Sequence, residues 1–246
     1  MKQYRWQIVL GTSLIVLSAL LYLFHYALFH DVHHILIYLV GDIAFVPVEV
    51  LFVTLIIHQL LNQREKRSRL EKLNMVIGAF FSEAGTELLA FFSDLDPELT
   101  RIQKFLVIEK EWTHEKFAQV HTQLKQHAHG IAIEKVNLAA LRTFLKERRD
   151  FLLRLLENPN LLEHESFTSL LWAVFHLTDE LVHRKDVENL PDSDRAHLAG
   201  DIKRAYGLLV SEWLDYMGHL KDNYAYLFSL AMRTNPFDEK ASVIVS

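Results

Sequence analysis

The sequence predicts an all-α membrane protein, a two-helix transmembrane hairpin followed by a cytosolic bundle of about five helices. Three observations predict it. The apolar excess is confined to residues 1–61. The rest of the chain repeats apolar residues at helical spacing. Only 8 Gly and 5 Pro occur in 246 residues, too few for the tight turns of a β-sandwich or barrel. The mean hydropathy of +0.09 therefore averages two unlike regions, one with almost no charge and one strongly charged.

Ile8 to Phe29 is an apolar run without Asp, Glu, Lys or Arg. At the α-helical rise it reaches about 33 Å, enough to cross a hydrocarbon core of about 30 Å. The run is longer than a signal peptide's apolar stretch, and no small-residue cleavage site follows it, so it reads as retained. A second run, Ile35 to Leu61, would extend about 40 Å and must tilt, kink or project. Lys2 and Arg5 precede the first span; Arg64, Lys66, Arg67, Arg69 and Lys72 follow the second, and the link between them carries no Lys or Arg. The positive-inside rule places both ends in the cytoplasm, at the plasma (inner) membrane. Tyr4 and Trp6 then fall at one interface, and Tyr22, Tyr26 and Phe29 at the other. The basic segment 62–72 also suits anionic lipid headgroups, although Glu65 and Glu71 dilute it and topology alone accounts for it.

The helical region 73–233 follows. From Leu70 to Phe92, positions 73, 76, 77, 80, 84, 88 and 91 form one apolar face, which either continues the second span or folds back. Asp96-Pro97 suits an N-cap and first helical residue of a helix reaching His129 and ended by Gly130. Further helices are expected over 133–156, 165–185 and 194–233, with loops at Asn158-Pro159-Asn160 and Leu190-Pro191. In the last, Tyr206, Val210, Trp213, Met217, Leu220, Tyr224 and Leu227 repeat at 4-3 spacing. This is a seam, either inside the bundle or between copies of the chain. Residues 234–246 read as a flexible tail.

Zero Cys excludes disulfides, thiolate metal sites and cysteine nucleophiles. The net charge of −5 argues against nucleic acid as a partner. No phosphate loop, dinucleotide fingerprint, nucleophile elbow or His-Glu-x-x-His motif is present, so no enzyme activity is expected. Glu111-x-x-His114 and Glu180-x-x-His183, with Glu87 and Glu147, follow the order of di-iron bundles. Their levels in an up-down bundle do not match, and the face of His176, Asp179, Glu180 and His183 reads as solvated.

Chemistry concentrates instead in the spans. Asp42 and Glu49 interrupt the second apolar run seven residues apart, on one helical face. Pro47 between them has no N–H for the Ile43 carbonyl and is expected to kink the helix, leaving an acceptor near the two acids. Ser18, Tyr22 and His25 share a face of the first span, and a Tyr22/His25–Asp42 hydrogen bond is the expected pairing. The face reads either as a cation or proton pathway or as polar glue between helices. Two helices cannot enclose a pore, so the pathway reading requires a homo-oligomer. His30, Asp31, His33 and His34 at the outer turn are metal-ligand types and form a candidate divalent-cation site; otherwise no cofactor is expected. The alternatives are a membrane-anchored helical scaffold or signalling module with a cytosolic protein partner and, more distantly, a metal-dependent helical enzyme.

Overall fold

The computed structural model describes residues 2–127, 130–159, 161 and 164–244, and the side chains of all of these except 2–4 and 67–70. The protein is all-helical, with no strand among the described residues. Its chain divides into two compact units, 1–66 and 67–246.

The first unit is built from α1 (Lys2–Phe29) and most of α2 (Val32–Phe80). Only His30 and Asp31 separate them. His30 adopts φ 52°, the left-handed conformation that ends a helix, and its N–H still donates to the Tyr26 carbonyl at 2.9 Å. Asp31 Oδ1 then accepts the His34 N–H at 3.2 Å and caps the start of α2. Both helices are long and apolar enough to cross a membrane. From residue 5 to 66 every described side-chain position is exposed except Gly11, His25 and Ile35, which are half-buried. α2 runs through Pro47 without a break and on to Phe80, so the backbone of 70–80 continues the helix of the second apolar run.

The second unit has its own core, whose buried apolar residues run from Leu73 to Phe237. The end of α2 contributes Leu73, Ile77 and Phe80. A single wide π turn, Phe81–Gly85, then joins α2 to α3 (Thr86–Ser93). The turn shifts the helical register, so the buried face continues through Leu88, Leu89 and Phe92. Gly85 is required there: a Cβ would lie 2.6 Å from Phe81 Cδ1 and 2.8 Å from Phe80 Cε1. After α4 (Leu99–Leu106), α5 (His114–Gln126), α6 (Leu138–Glu147) and α7 (Arg149–Leu156) come the two central helices, α8 (Glu165–His183) and α9 (Asp192–Asn223), and finally α10 (Ala225–Arg233). α9 packs on α3, α5, α8 and α10, and α8 on α6, α7 and α9. Phe80 meets Phe167 edge-on at 5.4 Å, Phe92 meets Tyr206 at 6.1 Å, and Phe81 stacks on Tyr216 at 5.1 Å, tying α2 and α3 to α8 and α9.

Several expectations are corrected. The bundle has more and shorter helices than five. The helix expected from Pro97 starts at Leu99 and stops at Leu106, because Val107 is extended (ψ 94°). Asp96 is not its N-cap: Oδ1 accepts the N–H groups of Glu98 and Gly130, closing a turn. Thr113 caps the separate α5, which ends at Gln126; the expected limit at His129 lies outside the described residues. The helix expected over 133–156 is a 3-10 turn at Ile133–Lys135 followed by α6 and α7, broken at Arg148. The last helix breaks at Tyr224 (φ −140°, ψ 68°), where the Asn223 side chain donates to the His219 carbonyl at 3.0 Å. The 4-3 seam is consequently buried from Tyr206 through Val210, Trp213, Met217 and Leu220, but Tyr224 is half-buried, Leu227 exposed, and Phe228 takes its place inside. The covering helices belong to the same chain, so this seam is not open to a second copy. Residues beyond 233 are not a loose tail either. Asn235 Nδ2 donates to the Leu106 carbonyl at 2.8 Å, and buried Phe237 meets the Trp213 ring at 5.2 Å; the final positions 245–246 lie outside the described residues.

Candidate functional site

In the first unit, helical spacing carries Asp42 and Glu49 on one face of α2, and both are exposed among apolar neighbours. Neither carboxylate has a hydrogen bond to another residue among those described. The expected link from Tyr22 or His25 to Asp42 is not formed. His25 instead stacks on His34 at 5.9 Å with an 11° interplanar angle and meets the Phe29 ring at 4.8 Å, tilted by 43°, close to the turn. Its Nε2 is buried and makes no hydrogen bond. Ser18 and Tyr22 stay exposed along α1. At the turn, Asp31 is used to cap α2. Its carboxylate and the rings of His30, His33 and His34 do not converge as a ligand set among the described residues. Arg64, Lys66 and Lys72 are exposed, as lipid contact requires; the side chains of Arg67 and Arg69 lie outside the described residues.

The four residues of the di-iron pattern are dispersed. Glu111 lies in the non-helical stretch before α5, and His114 is the first residue of that helix. Glu87 is engaged by Arg148 at 3.1 Å, and Glu147 lies 3.9 Å from the same guanidinium.

One cluster in the second unit was not assembled by sequence reasoning. On α8, His176 and Glu180 stand one turn apart; on α9, His197 and Asp201 do the same. The two helices are antiparallel neighbours joined by the short loop 184–191, which brings His176 level with Asp201 and Glu180 level with His197. Ligand atoms of His176, His197 and Asp201 all lie within 4.8 Å of one another. Asp201 is buried, with only 4% of its side chain exposed, while the two rings are about half exposed. Around this cluster, Arg184 donates to Glu180 Oε2 at 2.6 Å and to both oxygens of Asp194, at 2.7 and 2.8 Å. Those hydrogen bonds hold the Glu180 and Asp194 carboxyls below their ordinary values and raise the guanidinium. The signal that could have found the cluster was the pair of i, i+4 spacings mirrored about a single loop.

A second buried acid, Glu212, sits on α9. Burial pushes its carboxyl above the ordinary range, opposed by a hydrogen bond with Ser166 and by the His164 ring. His219, also on α9, accepts from Asn74 Nδ2 at 3.0 Å when its Nδ1 is unprotonated, and burial lowers its tendency to protonate.

Two family models match the chain. Residues 2–61 match one described as the N-terminal helical domain of MJ1433, and residues 69–233 match one described as the C-terminal helical domain of the uncharacterized protein MJ1433. The MJ1433 protein of Methanocaldococcus jannaschii is 48% identical over 244 residues, covering 99% of this chain and 98% of the relative. No solved structure matches the chain.

Proposed function

The chain belongs to the MJ1433 family, whose two helical domains it carries in full order, and we propose that it is an integral membrane protein that binds or passes cations or protons through an acidic face of its N-terminal hairpin. In this reading α1 and the apolar part of α2 cross the plasma membrane, with both termini and the second unit on the cytoplasmic side where Lys and Arg accumulate. The observation that carries it is the state of Asp42 and Glu49: two exposed carboxylates, seven residues apart on an apolar helix, without a partner among the described residues. Each would cost about 2.5–3.5 kcal/mol at the bilayer centre unless water, a cation or another helix meets it. A single hairpin offers none of these, so the reading includes association of hairpins from several copies with their acidic faces inward. The apolar surfaces of both helices are exposed and available for that association; the seam of α9 is not.

Purified protein in liposomes tests this directly. Proton or monovalent-cation flux is expected from wild type and a fall of at least tenfold in Glu49→Gln at unchanged reconstitution. No flux from either protein, together with a monomeric mass in membranes, would overturn it. That outcome would favour a second reading, a membrane-anchored helical module, which draws support from the separate core of the second unit.

A further inference from the structure

We infer that His176, His197 and Asp201 form a divalent-metal site of the zinc type on the surface of the second unit, between α8 and α9. The inference is independent of any transport by the hairpin. Three features of the cluster argue for a shared ion. Asp201 Oδ2 lies 3.5 Å from His176 Nε2 and 3.4 Å from His197 Nε2. Two ligands of one tetrahedral ion, with metal–ligand bonds near 2.0–2.2 Å, stand about 3.3–3.6 Å apart. Charge-assisted hydrogen bonds from protonated rings to a carboxylate would instead be drawn in to about 2.7–2.9 Å.

The second feature is the state of Asp201 itself. Its side chain is only 4% exposed, yet Oδ2 accepts no hydrogen bond. The other oxygen, Oδ1, faces Arg204 Nη1 at 3.5 Å, which leaves Oδ2 directed at the two imidazoles. A buried carboxylate oxygen without a hydrogen bond carries a desolvation cost that a bound cation would offset.

The third is the framework. Both pairs are spaced i, i+4 on rigid, closely packed helices, so the ligands are set by backbone and not by a loop. Glu180 flanks the site from α8, with Oε1 at 3.8 Å from His176 Nε2 and Oε2 at 3.6 Å from His197 Nε2. Arg184 engages Oε2, so Oε1 is the oxygen on hand for a fourth position. Two imidazoles and one or two carboxylates suit Zn²⁺ and its neighbours, Co²⁺ among them, and disfavour Mg²⁺ and Ca²⁺, which take oxygen. The half-exposed rings leave an entry path from solvent.

The test uses the full chain in detergent or nanodiscs without a polyhistidine tag, stripped by a chelator and titrated with Zn²⁺ and with Co²⁺. Binding of one equivalent per chain is expected, with a visible tetrahedral Co²⁺ band and a rise in melting temperature. Asp201→Asn and His197→Gln should each weaken binding at least tenfold and abolish the band. His197 is half exposed, so its replacement leaves the core intact should Asp201→Asn fail to fold. A variant with His30, His33 and His34 all changed to Ala should bind like wild type. Absence of stoichiometric binding in wild type would overturn the site, as would binding that survives Asp201→Asn and His197→Gln or is lost in the turn variant.

Discussion

At the scale of single residues, buried titratable groups set how the second unit responds to pH. Glu212 is the clearest case. Burial raises its carboxyl above the unfolded value of 4.5, so between 4.5 and the raised folded value the native state keeps a proton that the unfolded chain has released. Linkage then makes stability fall as pH rises through that window, and the cost persists above it. Glu212→Gln, which removes the charge and keeps the shape, should melt higher than wild type at neutral pH, with the difference closing in acid. A lower melting temperature for the variant at neutral pH would show that the carboxylate is needed in its ionised form. Residue identities made this group visible in the sequence, but not its burial. Nor did they show that His197 and Asp201 face His176: the polar face of α8 reads as solvated until α9 lies against it.

At the scale of elements, the π turn at Phe81–Gly85 shows how a local irregularity serves the core. The sequence periodicity from 73 to 91 reads as one uninterrupted face, and the added residue in the turn goes unseen because helical spacing on either side of it is unchanged. The turn brings Leu88, Leu89 and Phe92 under the bundle and packs its own glycine against two phenylalanine rings. Those rings are buried, at 0% and 3% exposure, so they have little room to move away from a new methyl group. Gly85→Ala should therefore destabilise the second unit by about 1–3 kcal/mol, the range of overpacked core sites. Denaturant midpoints of the two proteins check it; an unchanged midpoint would mean that Phe80 and Phe81 can shift without cost. The break at Tyr224 makes the same point about register. Heptad counting extends smoothly to Leu227, whereas a terminated helix restarts with Phe228 inside, and no Pro or Gly marks the place.

At the scale of the whole molecule, the two units have opposite relations to their surroundings. The second buries most of its large apolar side chains within itself, and the first leaves almost all of them uncovered. Residues 67–246 expressed alone should accordingly be soluble, monomeric and cooperatively folded, while the full chain should resist extraction from membranes by salt or alkali. Aggregation of the fragment, measured by sedimentation and thermal melting, would show that the hairpin is needed to complete the fold. The sequence by itself determined the all-helical class, the two apolar runs, the basic stretch after them and most of the core faces of α2, α8 and α9. These follow from composition and from periodicity, which act along the chain and over short distances. Only the tertiary structure decided which polar residues meet. It left Asp42 and Glu49 without partners among the described residues, turned the heptad seam inward, docked Asn235 and Phe237, and brought His176 beside His197 and Asp201. Such pairings depend on where helices stop and on how one rotates against its neighbour, and a one-residue shift at a helix break is enough to exchange the buried and exposed sides.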